Sequence, residues 1–330
     1  MNQQAARKRI QDVEDVIKKA RRNTTCLFPG CSEEPIGSHV IARTILEVIA
    51  DKGHVLTWFP RRVTAWDMAR SIDAGQPLDY LYEKPISVGI GDKNKVTEPL
   101  FCRDHDNTVF APLDDREFSF QAEQVMLLAS RAVCSMILST SATAAIYTAV
   151  AKQPSLHYSL STPEPLRRLQ GFQATELVLQ ARHLYAQIQA TRDYDQLGWA
   201  IYLVNMQPCI AATYSFIPVE GNDAKAIING TQAVTVADMV SFSLLPYKLL
   251  NCSICVISWL RESQRAHQFM TFRRVNALSE KEQRDLFLSF AFESPTLYIS
   301  PIWWQSLSDE KREVYTRVHL EAYRRHDELV

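Results

Sequence analysis

Three cysteines and one histidine in the first third of the sequence have the residue types and spacing of a zinc site. Cys26 and Cys31 flank a Pro-Gly pair, which predicts a tight turn that brings both sulfurs to one side of the chain. Cys102 and His105 are three positions apart, so they share one face where a helix begins. Zinc accepts a tetrahedral set of thiolates and imidazoles. We therefore expect one ion to hold the two pairs together.

The spacing leaves other arrangements open. His39, eight residues after Cys31, could replace His105 as the fourth ligand. His54 is a further candidate, although its place before an apolar strand favours a hydrogen-bonded structural histidine. Cys26 and Cys31 could also be two buried thiols that bind no metal, because free cysteine behaves as a small apolar residue.

Length and composition describe a folded protein with no global attraction for nucleic acid. The chain has 330 residues, a formal net charge of −1 and only 10 glycines, which favours helices and allows two domains. Any contact with nucleic acid must therefore come from local basic patches. Seven cysteines in no paired pattern indicate reduced thiols, and no apolar run is long enough for a membrane span. We expect a cytoplasmic protein with no membrane partner.

The elements that must position the ligands are short. Residues 2–22 predict a basic amphipathic helix, and another helix is expected just after His39. His54–Trp58 and Ile86–Ile90 predict strands. A further helix should begin at Cys102, which would place the Cys102 thiolate and the His105 imidazole on its first turn.

The expected fold class is α+β, with a treble-clef-like zinc module packed on a larger helical domain that carries a small antiparallel sheet. We assign the zinc module, with its basic N-terminal helix, to residues 1–116 and the second domain to residues 117–330. In the second domain, one helical stretch is expected from Phe118 and another through Ala145 and Ala151. A third helix over 166–191 and four β-rich runs between 199 and 260 follow.

Several patterns near the C-terminus make definite predictions. Ser279, with Glu282 three positions on, predicts a capping box at a helix start. Tyr298–Trp304 predicts an apolar turn, and Asp309–Leu329 predicts a charged closing helix. Trp303 and Trp304 could stack on a base or ligand, but an aromatic anchor that closes the C-terminal core is favoured. The Cys252–Cys255 segment has metal-ligand spacing, but in a strand its two cysteines point to opposite faces, which favours structural thiols.

The N-terminal ligand pattern resembles the treble-clef zinc units of the HNH (ββα-metal) superfamily over about residues 20–115. Besides the four zinc candidates, the resemblance rests on Ser38-His39 and on Asp106, which follows the second ligand pair. The chain also resembles a set of uncharacterised bacterial proteins that have Ser-His after a first knuckle and Phe-Cys-x2-His-Asp at a second.

The resemblance implies a role for each matched residue. The residues implied as structural zinc ligands are Cys26, Cys31, Cys102 and His105. His39 would be the general base that activates water, and Asp106 would bind a catalytic Mg²⁺ or another divalent cation. The chain departs from the family where Ser38 precedes His39 and where Asp106 replaces a closing histidine. The asparagine that orients the base is not identifiable, and Asn94 and Asn107 are only candidates.

These features predict a protein that acts on or binds DNA or RNA, and a metal-dependent HNH-type nuclease of bacterial defence is the first interpretation. The candidate phosphate contacts are Arg21, Arg22, Arg61, Arg62 and Arg103. The alternative is a non-catalytic protein in which zinc only stabilises the N-terminal module and the C-terminal domain binds a protein or small ligand. The missing asparagine and the near-neutral charge favour this alternative.

Overall fold

The computed structural model describes residues 25–58, 84–92, 95–151, 179–218, 238–265, 267 and 275–329. Several sequence-based predictions lie outside these residues and stay predictions. They concern the basic helix over 2–22, the first part of the helix over 166–191, and Arg21, Arg22, Arg61, Arg62 and Asn94.

The described chain forms nine strands and seven helices that carry the fold, together with helical residues 179–191. The strands are β1 (Gly37–His39), β2 (His54–Thr57), β3 (Ile86–Gly89), β4 (Thr97–Pro99), β5 (Leu197–Val204), β6 (Ile210–Phe216), β7 (Val240–Tyr247), β8 (Cys252–Leu260) and β9 (Thr296–Ile299). The helices are α1 (Arg43–Ile49), α2 (Arg103–Val109), α3 (Ala111–Asp114), α4 (Ala122–Ala151), α5 (Glu280–Glu293), α6 (Pro301–Ser306) and α7 (Asp309–Leu329).

An antiparallel sheet of seven strands organises the molecule, in the order β3-β2-β9-β6-β7-β8-β5. Successive residues of a strand point to opposite faces, and both faces of this sheet are buried. Along β6, Ala211 joins a core cluster with the N-terminal region and α4, whereas Ala212 joins a second cluster with α5, α6 and α7. The fold is thus helices packed on both faces of an antiparallel sheet, which agrees with the expected α+β class.

Part of the N-terminal region belongs to this main sheet. Strands β2 and β3 form a hairpin, and β2 pairs with β9 through Leu56 and Ile299. The hydroxyl of Thr57 donates to the carbonyl of Leu297 at 2.7 Å. Strands from both sides of residue 116 therefore share one sheet, and the division into residues 1–116 and 117–330 stays a prediction.

The prediction of an apolar turn over Tyr298–Trp304 is wrong. Tyr298 lies in β9, which pairs with both β2 and β6, and Pro301 begins α6. Strand β9 is buried on both faces, and such a strand shows no alternation of polar and apolar residues. It has only four residues and ends two positions before Pro301. The same short apolar run followed by proline is also typical of a turn, so the sequence pattern did not separate the two.

Two other expectations need correction. The helical stretches expected from Phe118 and through Ala145 are one helix of 30 residues, α4. The sheet is larger than the four strands expected, because β2, β3 and β9 complete it. The N-terminal strands near residues 54 and 86 were predicted, but strand order between distant segments cannot be read from periodicity.

The predictions of a capping box at Ser279 and of a closing helix are confirmed, and the expectation of buried thiols holds for Cys255 but not for Cys252. Ser279 caps α5: its side chain accepts from the N–H of Glu282, whose carboxylate accepts from the N–H of Ser279 at 2.8 Å. Helix α7 covers Asp309–Leu329 as predicted. Cys255 is fully buried in the second core cluster, whereas Cys252 is partly exposed. Among the described residues, no helix is long and apolar enough to cross a membrane.

Candidate metal centre

The four predicted zinc ligands come together in the structure. Atoms from Cys26, Cys31, Cys102 and His105 that could bind a metal all lie within 4.8 Å of one another. The sulfur of Cys31 is 3.9 Å from that of Cys102, and Nδ1 of His105 is 3.5 Å from the sulfur of Cys26 and 3.2 Å from that of Cys102. Zinc–sulfur bonds of about 2.3 Å in a tetrahedron place sulfurs about 3.8 Å apart. The cluster therefore has the dimensions of one tetrahedral site.

A tight turn holds the first pair of ligands. The N–H of Cys31 donates to the carbonyl of Phe28 at 3.1 Å, and Gly30 has φ +80. Proline followed by a glycine with positive φ is the residue pair of a type II turn. The N–H of Phe28 also donates to the sulfur of Cys26 at 3.4 Å, which fixes that sulfur on the inner side of the turn. The sequence produces this knuckle locally, because Pro29 and Gly30 suit only such a turn.

The second pair lies at the start of α2. Cys102 is the residue before the helix, and His105 is on its first turn, so both side chains face the knuckle. The ring of Phe28 stacks on the imidazole of His105, with centroids 4.1 Å apart and planes at 17°. Backbone hydrogen bonds join the two halves, with the N–H of Leu27 donating to the carbonyl of Leu100 at 2.8 Å. The knuckle and the helix start are thus docked by contacts that surround the cluster.

The protonation of the thiols makes metal binding dependent on pH. Burial raises the pKa of Cys26 to about 11. The pKa of Cys102 is lowered: burial works to raise it, but the backbone N–H of His105 and the neighbouring thiols of Cys26 and Cys31 outweigh burial. A metal ion must displace the proton of Cys26, so binding weakens as the pH falls.

His39 does not belong to the cluster, so the rival arrangement with His39 as a ligand does not describe this structure. His39 ends β1 and is half-buried, and its Nε2 lies 3.5 Å from the carbonyl of Ile90. Burial lowers the pKa of His39, helped by the positive charge of Arg131. The imidazole is therefore neutral near pH 7. His54 is exposed, and its Nδ1 lies 3.0 Å from the carbonyl of Lys52.

Asp106 lies on α2, and the charges of Asp106 and His39 each have a small effect on the pKa of the other. Burial raises the pKa of Asp106, whereas Arg131 and the hydroxyl of Ser38 act to lower it. Nη2 of Arg131 lies 3.5 Å from Oδ1 of Asp106. Because the side chain of Asp106 is only 16% exposed and faces a guanidinium, a divalent cation at this carboxylate would have to compete with Arg131.

Arg131 is the residue of this region that the sequence interpretation missed. Its side chain is 1% exposed and makes two hydrogen bonds to the carboxylate of Asp114, at 2.7 and 2.5 Å. Its guanidinium lies 4.5 Å from the ring centroid of Phe110. The signal was present, because Arg131 is the single charged residue in the apolar run from Val125 to Leu138 of α4. A charge in such a run predicts a buried ionic partner.

Two other residues considered for the site, Arg103 and Asn107, are exposed on α2.

No family model matches the chain, and no match is found among curated proteins or solved structures.

Proposed function

We propose that the cluster of Cys26, Cys31, Cys102 and His105 binds one zinc ion whose role is structural. The convergence of the four ligand atoms within 4.8 Å supports this most directly. Four protein ligands complete a tetrahedral zinc shell and leave no position for a catalytic water. Three sulfur donors and one imidazole also suit zinc better than calcium or magnesium, which prefer oxygen ligands.

The ion would join two segments that are far apart in the sequence. The knuckle and the start of α2 are separated by about seventy residues, and they meet beside a core that includes Leu27, Leu100 and Phe101. Metal binding that occurs only in the folded state adds its free energy to folding. Zinc would therefore stabilise the N-terminal part of the protein against local unfolding.

Metal analysis of the purified full-length protein tests this role. We expect one zinc per chain in the wild type and loss of zinc in Cys102→Ser. The matched control is Cys252→Ser, because Cys252 is partly exposed and lies outside the cluster. Zinc retained at full stoichiometry in Cys102→Ser, or a wild type that binds no zinc in zinc-supplemented growth, would contradict the proposal.

We propose as a second function that this zinc module acts on nucleic acid as an HNH-like phosphodiesterase. The support is the electrostatic interaction between His39 on β1 and Asp106 on α2, the helix that also carries His105 of the cluster. A neutral imidazole can accept a proton from water, and Mg²⁺ or another divalent cation near Asp106 would stabilise the charge on the phosphate. The order of knuckle, strand with His39, second ligand pair and helix with Asp106 is also the order that the HNH resemblance implies.

One observation favours the non-catalytic alternative, in which a protein or small ligand binds the rest of the chain. Oδ1 of Asp106 lies 3.5 Å from the buried guanidinium of Arg131, and a cation bound at this carboxylate would be repelled by that positive charge. The two functions differ in what His39 does. In the enzyme it is required, and in the non-catalytic protein its loss leaves function unchanged.

A cleavage assay separates them. Full-length protein loaded with zinc is incubated with plasmid, single-stranded DNA and RNA in Mg²⁺, Mn²⁺ or Ni²⁺. The enzyme predicts cleavage that His39→Ala abolishes and that His54→Ala, at an exposed histidine, leaves unchanged. Equal cleavage by wild type and His39→Ala, or no cleavage by any of them, rules out the proposed mechanism.

A further inference from the structure

Strand β5 forms one edge of the seven-stranded sheet, and the residues of the strand itself include none of the charges or prolines that usually protect an edge. In the part of the chain that the structure describes, no strand pairs with its outer side. Its eight residues, Leu-Gly-Trp-Ala-Ile-Tyr-Leu-Val, include no charge and no proline. Natural edge strands are commonly short, charged or interrupted by proline, because free backbone groups recruit other strands. The opposite edge, β3, is only four residues long.

The hydrogen bonds to β8 decide which groups of β5 are free. The N–H of Arg261 donates to the carbonyl of Gln196 at 2.8 Å, one pair beyond the registered pair of Leu197 and Leu260. Hydrogen-bonded pairs alternate along an antiparallel ladder, so the even-numbered residues of β5 bond to β8. The residues whose N–H and C=O groups point away from the sheet are Leu197, Trp199, Ile201 and Leu203.

A side chain closes one end of this free edge. Nη2 of Arg261 donates to the carbonyl of Leu197 at 3.1 Å, so that group is already satisfied. The outward groups that remain belong to Trp199, Ile201 and Leu203. This window is symmetric about Ile201, and Leu203 is 58% exposed at its far end.

We propose that a second copy of this chain pairs antiparallel with β5 about a twofold axis at Ile201. Ile201 then faces Ile201 of the partner subunit, and Trp199 faces Leu203 of the partner subunit. Each of these pairs exchanges two backbone hydrogen bonds, because all of its groups point outward. The exposed Leu203 packs on an indole, and the absence of charge in β5 means that no like charges meet.

The occupant is a second copy because the free window complements itself. A twofold interface requires that the same patch satisfies its own donors and acceptors. Only an odd-numbered residue at the axis pairs outward groups with outward groups. An axis at Ile201 pairs Trp199, Ile201 and Leu203 with one another and leaves the bond of Leu197 to Arg261 intact. At the positions between, Ala200 faces the partner's Tyr202, so a small side chain lies opposite a large one.

Sedimentation of the full-length protein over a wide concentration range tests the proposal with Leu203→Lys. We expect a dimer in the wild type and a dissociation constant about 100-fold weaker in the variant, because two apolar contacts are lost and two charges introduced per dimer. Leu203 is already exposed in one copy, so the variant should fold. The matched control is Ile302→Lys, at a residue 63% exposed on α6, which should remain a dimer.

Hydrogen exchange provides the second measurement. In the dimer the amides of Trp199, Ile201 and Leu203 should be protected, and in Leu203→Lys they should exchange quickly while β8 stays protected. The proposal is overturned by a wild type that sediments as a monomer throughout, by a Leu203→Lys dimer, by an Ile302→Lys monomer, or by β5 amides that exchange equally fast in wild type and Leu203→Lys.

Discussion

Replacement of Arg131 by methionine tests how the part of the chain that carries the metal ligands is held on the rest of the fold. Arg131 extends from α4 and contacts Asp114 on α3 and Asp106 on α2. α2 also carries His105 of the metal cluster, so one guanidinium joins that helix to the longest helix of the described chain. Methionine has a similar length and no charge, and it leaves both carboxylates without their cation.

The size of the effect follows from burial. Breaking a buried ion pair by removing one partner costs about 3–5 kcal/mol, because the other charge is left in a poorly hydrated place. The arginine side chain is 1% exposed, but Asp114 is 31% exposed and Asp106 is 16% exposed. Their carboxylates keep some contact with water, which places the loss near the lower end of that range. We expect about 3 kcal/mol of unfolding free energy to be lost.

Urea denaturation of the zinc-loaded protein, followed by tryptophan fluorescence, measures this loss. Arg131→Lys is the matched control, because lysine keeps the charge but cannot make two parallel bonds to Asp114. The free energy of unfolding of Arg131→Lys should lie between those of wild type and Arg131→Met. A decrease below about 1 kcal/mol in Arg131→Met would refute the reasoning, since that is the range of exposed ion pairs.

Three further predictions rest on single contacts. Burial lowers the pKa of His39 in the folded protein, so below about pH 6.5 the unfolded chain binds more protons than the folded one. The free energy of unfolding of wild type should therefore fall on acidification more than that of His39→Gln. Urea midpoints at several pH values measure the difference. In Gly198→Ala, the added Cβ would lie 2.5 Å from the indole of Trp259, so thermal denaturation should show a loss of about 1–3 kcal/mol of unfolding free energy. Gly91→Ala is the control and should change stability little, because no atom lies within 4 Å of the added Cβ. Ser279→Ala removes the cap of α5 and should cost about 1 kcal/mol in the same assay, and no change would contradict the role of the cap.

The cluster could be predicted from the sequence because its geometry is local. Pro29 and Gly30 define a turn between the first two ligands, and spacing three positions apart puts Cys102 and His105 on one helical turn. When the fold brings these two ligand pairs together, their three thiolates and one imidazole form a favourable ligand set for one zinc ion. The same local reasoning found the capping box at Ser279, since a cap depends on residues three positions apart.

The partners of distant residues could not be predicted, because nothing local encodes them. Arg131 is a lone charge in an apolar helix that the sequence interpretation overlooked, and the sequence does not say that Asp114 would meet it. Strand β9 was missed because its place in the centre of the sheet depends on β2 and β6, which lie far from it in the chain.

The long segment between the two halves of the metal cluster has a structural consequence that hydrogen exchange can test. Within it, the β2–β3 hairpin is held by the main sheet through Leu56 and Thr57 and does not depend on the ligands. The knuckle, β1, β4 and α2 form no pairing with the main sheet in the described chain; the metal cluster, the ion pair of Asp106 with Arg131 and apolar packing shared with α4 hold them. Removal of zinc by a chelator should therefore increase exchange in residues 26–39 and 97–109.

The same treatment should leave the amides of β2 protected, because their hydrogen bonds are to β3 and β9. Cys102→Ser should reproduce this pattern without chelator. If both regions lost protection together, the metal would stabilise the main sheet as well as the knuckle, β1, β4 and α2. If neither changed, the ion would contribute nothing to folding, and packing around Leu27 and Phe101 alone would hold the knuckle against α2.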